Sequence, residues 1–233
     1  MLARVQFRRE CQGTYAIPMV TTRETRSGDE LRSRRRQRMA DEIELAALRL
    51  FAERGLDAVT VDDIAAAADI SRRTFFRYFA SKDDVLHGNP ERQRDIVVAT
   101  AESTPATTTP RALVRRILLA LTTDLDDRRE ALLLRREIAV KAPNAMAQGH
   151  NRYGALVTTV IELLTEHMGV DPDSDLRPHV FVHAGLGAMQ AATRTWFIGG
   201  RSASLHDLTA EALDLIGLND ETSPNNGSQD RHA

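Results

Sequence analysis

The run from Thr60 to Leu86, TVDDIAAAADISRRTFFRYFASKDDVL, constrains this chain more than any other stretch, because it holds three helix starts separated by tight turns. Thr60, followed by Asp63, is an N-cap with an acidic residue at N3, and the pair can satisfy amides left free at a helix start. Ile64, Ala65 and Ala68 then share one helical face. Asp69 stands where the chain must turn, and Asp tolerates turn dihedrals better than most residues. Ser71 caps the next helix, which directs Phe75 and Phe79 inward and Arg72, Arg73, Thr74, Arg77 and Tyr78 outward. Ser81 with Asp84 repeats the cap pattern. Two short helices around a turn, the second basic on its outer face, predict a helix-turn-helix that grips DNA.

Two short helices cannot fold alone. The partner lies just upstream, where residues 38–54 place Ile43, Ala46, Ala47, Leu50 and Phe51 at helical spacing. Gly55 stops that helix, as glycine at C′ does, and Leu56 supplies the accompanying apolar contact.

The stretch LFAERGLDAVTVDDIAAAADISRRTFFRYFASKDDVL resembles the N-terminal domain of TetR-type bacterial transcriptional regulators. The resemblance covers residues 38–86, with the caps, the turn, Phe79 and Lys82 in one register. The RRTFFRYF version is also similar to a subgroup that includes mycofactocin-system regulators. The resemblance implies an all-α protein with an N-terminal three-helix DNA-binding head and a C-terminal helical domain for effector binding and dimerisation. It further implies a homodimer on a palindromic double-stranded operator, a repressor released by a small molecule, and an acyl thioester or other apolar effector. Two positions depart from the family pattern. Arg73 stands where the family usually has Gly, so the operator does not carry over by analogy. Phe76 stands where the family usually has Tyr and lacks the hydroxyl that would bond a phosphate. Its ring is left to pack on the first helix or to cover sugar.

Charge is distributed in the same sense. Residues 1–82 hold 16 Lys+Arg and 12 Asp+Glu, leaving 15 basic and 21 acidic residues for the remainder. A basic front on an acidic body suits a DNA-reading head on a regulatory body. The single cysteine, Cys11, rules out an intrachain disulfide and suits a reducing cytoplasm. No secretory apolar run opens the chain. The best membrane-span candidate, residues 180–200, contains His183, Gln190 and Arg194 and reads as a buried helix.

The expected organisation is a disordered arm over 1–30, the head over 31–86, the effector and dimerisation domain over 87–218, and a solvated tail over 219–233. Met1 and Met19 are both candidate starts, since residues 1–18 add nothing the fold needs. In the body, helices are expected over 82–101 with an interruption at Gly88-Asn89-Pro90, over 110–125, 128–142, 144–168, 174–199 and 204–216.

For base reading, Arg73 and Arg77 share a face at i, i+4, and an arginine there can donate two bonds to guanine O6 and N7. Arg72 and Tyr78 lie at the sides, better placed for phosphate, with Ser71 and Thr74 at the helix start. Thr60 and Lys82, at helix N-termini, are phosphate candidates. Arg32, Arg34, Arg35, Arg36 and Arg38 form an arm that either follows DNA or only solubilises. The competing reading of all these charges is an ordinary solvated face.

For the effector cleft, periodicity selects Leu113, Ile117, Met146, Tyr153, Leu156, Val160, His183 and Trp196, with Arg194 to hold an acid or phosphate group. The competing reading, favoured for any single one of them, is plain core. His179 and His183 have metal-compatible spacing but no third ligand, so no metal and no cofactor is expected. Glu162 and Glu166 read as a solvated pair. The small residues Ala184, Gly185, Gly187, Ala188, Ala191 and Ala192 suit close helix approach, with residues 205–216, in a dimer seam. No nucleophile elbow, phosphate loop or dinucleotide fingerprint is present, so no enzyme is expected. The alternatives are an all-helical metal-binding or enzymatic bundle, and an architectural DNA binder that answers no ligand.

Overall fold

The computed structural model describes residues 23–143, 150–171, 173–199 and 203–219. Among them lie ten helices and no strand: α1 Arg23–Arg54, α2 Val61–Ala67, α3 Arg72–Tyr78, α4 Lys82–Leu86, α5 Pro90–Ser103, α6 Pro110–Asp127, α7 Arg129–Lys141, α8 His150–Met168, α9 Arg177–Ile198 and α10 Leu205–Leu215. The all-α expectation holds.

The local signals act as written. Thr60 Oγ1 accepts from the Asp63 amide at 3.1 Å, and Asp63 Oδ2 accepts from the Thr60 amide at 2.8 Å. Ser71 Oγ accepts from the Thr74 amide and Ser81 Oγ from the Asp84 amide, both at 3.1 Å. Asp69 takes the turn at φ +52°, in the left-handed region that Asp enters more readily than most residues. Gly88, at φ +77°, breaks the stretch 82–101 into α4 and α5, and Asn89 caps the second piece through the Glu91 amide.

One expectation needs correcting. The arm expected to be disordered over 1–30 is helical from Arg23, as the first turns of α1. Helix propagates cheaply from an already packed segment, and Arg, Glu, Leu and Gln are good formers, so Ser27 and Gly28 do not stop it. Residues 1–22, the tail beyond 219 and Met146 lie outside the described residues. Contacts divide the chain into a unit through Arg36 and a unit from Gln37 onward. The second unit keeps the helix-turn-helix together with the helices that follow it.

The reason is α7. The core of the head is built from Ile43, Ala47, Leu48 and Phe51 of α1, Ile64 of α2, Phe75 of α3, Phe79, and Val85 and Leu86 of α4. Ala131 and Ile138 of α7 are buried in the same cluster. The helix-turn-helix therefore completes its core with a helix from the second half of the chain. The body has its own core, formed by Leu113, Val114, Ile117, Leu118 and Leu121 of α6, Val157, Val160 and Leu164 of α8, and Val182 and Leu186 of α9. Leu213 of α10 and Leu218 close it. Gly185 lets α9 approach α6: a Cβ there would lie 2.6 Å from Leu118 Cδ1.

Candidate nucleic-acid interface and effector cleft

α3 is a seven-residue helix with one buried side. Phe75 is fully buried and Phe79 nearly so, which fixes the rotation of the helix about its axis. Arg73, Phe76 and Arg77 are then exposed on the opposite side at i, i+3 and i+4. Arg73 makes no ion pair among the described residues. Arg77 lies over the Tyr78 ring at 5.1 Å, with Nη2 3.3 Å from the Tyr78 hydroxyl. Arg72 is tied sideways: its Nη1 is 3.0 Å from Asp62 Oδ2 of α2, and its guanidinium lies 5.5 Å from the Phe76 centroid. Phe76 is 46% exposed and meets Phe75 edge to face.

The phosphate candidates are engaged in holding the head together. Thr60 bonds Asp63 through both its amide and its hydroxyl, and these bonds keep the Asp63 carboxyl below its ordinary value. Lys82 Nζ donates to the Leu56 carbonyl at 2.7 Å and the Val59 carbonyl at 3.1 Å. It thus clamps the α1–α2 loop to the start of α4, leaving one N–H for another acceptor. The Ser71 and Thr74 hydroxyls share a hydrogen bond of 2.9 Å. Arg32, Arg35, Arg36 and Arg38 are exposed on α1.

Periodicity missed the charged residues beneath the head. Glu44 of α1 is 1% exposed. It pairs with Arg128 Nη2 at 2.6 Å and with Arg135 Nη2. Arg128 also reaches Asp41 Oδ1 at 3.3 Å. Arg92 of α5 donates to Asp41 at 2.9 Å and, through Nε, to Asp124 at 2.6 Å. Burial raises the Asp41 carboxyl although Arg128 and Arg92 oppose it, and burial lowers Arg135 against the pull of Glu44. The partners lie up to 91 residues apart, so no local sequence signal could have paired them.

The body contains a small cleft between α6, α8 and α9, lined by Val114, Leu118, Leu121, Leu156, Val157, Val160, Val182 and Leu186. Its volume is about 10 Å³, room for about one water, and its wall is wholly aliphatic. Leu156 and Val160 are the expected residues that line it. Leu113 and Ile117 are core beside it, and Trp196 is core with its indole N–H donating to the Ala203 carbonyl at 3.0 Å. His183 and Arg194 are exposed on α9 and do not line it. The Tyr153 side chain lies outside the described residues. Among the described residues no group of three His, Cys, Asp or Glu could hold a metal, and no helix is long and apolar enough to cross a membrane.

Known proteins are similar to this chain in sequence and in fold. The profile of bacterial regulatory proteins, tetR family, matches residues 44–88, and the MftR C-terminal domain matches residues 108–219. The HTH-type transcriptional regulator TcmR of Streptomyces glaucescens is 28% identical over 186 residues, spanning 76% of this chain and 81% of that protein. A Mycobacterium tuberculosis protein provisionally named as the mycofactocin biosynthesis transcriptional regulator MftR is 28% identical over 184 residues, 79% of this chain and 92% of its own. The HTH-type transcriptional repressor KstR2 of Mycobacterium tuberculosis is 46% identical over 72 residues, 28% of this chain and 36% of its own. The solved structure of the fatty acid degradation regulator FadR from Bacillus halodurans superposes with a TM-score of 0.56 at 19% identity, covering 76% of this chain and 94% of that one; this likeness is one of fold.

Proposed function

Because the chain belongs to the TetR family of bacterial transcriptional regulators, DNA-binding proteins and not enzymes, we propose that it acts in the cytoplasm as a homodimeric repressor released from a palindromic operator by a small apolar molecule. The observation that carries the proposal is the outer face of α3. A buried Phe75 fixes the helix so that Arg73, Phe76 and Arg77 project together. The arginines suit guanine edges, and the Phe76 ring suits a thymine methyl. Arg72 and Tyr78 flank them toward the phosphates, and the remaining N–H of Lys82 suits one phosphate oxygen.

One helix-turn-helix reads a half-site, so a symmetric operator calls for two copies. A seam is supported by α9. Val180, Ala184, Gly187, Ala191, Thr195 and Ile198 repeat at three or four residues and are all exposed. Leu215 at the end of α10 adds 82% of its surface to the apolar area available. Repression is supported by KstR2, which is similar over 72 residues and is named a repressor. An apolar effector, an acyl thioester among the candidates, is supported by the wholly aliphatic cleft. At about 10 Å³ the cleft must widen to admit it, so binding selects an arrangement of α6, α8 and α9 different from this one.

The test begins by selecting duplexes from a random library with the purified protein. A palindromic consensus bound by two protomers, released by long-chain but not short-chain acyl thioesters, is the expected result. A monomer bound to a non-palindromic site would reject the dimer. Release by none of the thioesters would reject that effector class.

A further inference from the structure

We propose that Glu44, Arg128 and Arg135 are positioning residues for operator binding: they hold the recognition helix at one orientation relative to the body. The inference rests on the regulator reading but is tested separately from it.

The charged groups form one alternating chain under the head. Asp124 meets Arg92, Arg92 meets Asp41, Asp41 meets Arg128, Arg128 meets Glu44, and Glu44 meets Arg135. Arg135 Nε then donates to the Leu86 carbonyl at 3.0 Å, at the end of α4. Its guanidinium lies against Gly88, where a Cβ would stand 2.9 Å from Nη2. Gly88 is also the break between α4 and α5. One chain of contacts therefore ties α1 of the head, the exit of the head and the α6–α7 corner of the body.

Stability does not explain such an arrangement. Buried ion pairs lose in desolvation much of what they gain in attraction, and apolar groups of similar size often replace them at no cost. What apolar groups cannot replace is direction. Guanidinium–carboxylate bonds fix distance and angle, whereas aliphatic contacts slide. The apolar weld of Ala131 and Ile138 holds α7 to the head, and the charged chain sets the angle. A reader that must meet a groove at a set orientation loses affinity in proportion to the time spent elsewhere.

The experiment uses the full chain with Cys11→Ser and spin labels at Asp83→Cys on α4 and Glu162→Cys on α8, both exposed. Labelled protein is diluted with unlabelled chains, so the distance between the labels is intrachain and independent of dimerisation. It is compared with the same chain carrying Glu44→Leu, Arg128→Met and Arg135→Met. The expected result is an unchanged or higher melting temperature, a broader distance distribution, and weaker binding to the duplex selected by the wild-type protein. If the competent orientation falls to about a tenth, Kd rises about tenfold. A distribution as narrow as wild type overturns the proposal, whatever the affinity does. Should the triple variant fail to fold, Glu44→Gln is measured by the same distance, and again an unbroadened distribution overturns it. If the wild-type protein selects no duplex, the regulator reading fails while the distance measurement still decides this one.

Discussion

Gly185→Ala tests the close approach of α9 to α6, and its outcome can be worked out from distances. The added carbon would lie 2.6 Å from Leu118 Cδ1, 3.2 Å from Val114 Cγ1 and 3.3 Å from Leu218 Cδ1. Carbon atoms prefer separations of about 3.5–4.0 Å, so Leu118 must withdraw by about 1 Å. It has somewhere to go, because Leu118 and Val114 both line the cleft of about 10 Å³. Overpacking of this kind costs about 1–3 kcal/mol. Replacing glycine by alanine inside a helix returns about 1 kcal/mol. The net expectation is a loss of about 1 kcal/mol. Gly154→Ala on α8 is the control, since no atom lies within 4 Å of its added carbon and only the helix gain of about 1 kcal/mol applies. The two variants should therefore differ by about 2 kcal/mol in urea unfolding, and their melting temperatures by about 2–4 °C per kcal/mol at one protomer concentration. Because Leu118 retreats into the cleft, Gly185→Ala should also blunt release by acyl thioester while binding the selected duplex normally. A Gly185→Ala protein as stable as Gly154→Ala would refute the reasoning.

Arg73→Ala and Arg77→Ala should each weaken specific binding by about 1–3 kcal/mol, concentrated at one base position, with helicity by circular dichroism unchanged; Phe76→Ala should relax preference at a thymine. Lys82→Ala should lower stability by about 1–3 kcal/mol in urea titration, because the Leu56 and Val59 carbonyls lose their donor; it should also weaken binding to all duplexes alike. Asp126 accepts from the Ser204 hydroxyl and from the Leu205 and His206 amides, at 2.8, 3.0 and 2.9 Å, so Asp126→Asn should loosen the start of α10 and cost on the order of 2 kcal/mol. Burial alone would raise the Asp126 carboxyl, but these bonds hold it below the ordinary 3.8. Its contribution should therefore be full above that value and disappear as pH falls through the lowered pKa, which melts of wild type and Asp126→Asn across the acid range would show by converging.

The head was legible in the sequence because its signals are local. A cap needs a side chain three residues from its amide, a turn needs a residue that tolerates φ +52°, and a buried face needs only a helical repeat. Thr60, Ser71, Ser81 and Asp69 therefore read correctly, as did the inward Phe75 and Phe79. The start of α1 was harder, since propensity over 23–30 is permissive and helix there continues from a segment packed further along. Partners distant in the chain were beyond reach. Glu44 falls between Ala40 and Leu48 on the buried face of α1, and only the folding of α7 back onto the head supplies its partners Arg128 and Arg135. Lys82 has a free-looking ammonium in the sequence and a place between two carbonyls in the fold. His183 and Trp196 occupy the same helix, and the sequence could not say that one faces solvent and the other the core. Local spacing determines which helices form and which residue begins each; which charges are buried, and where the body keeps its cleft, depends on the packing of helices far apart in the chain.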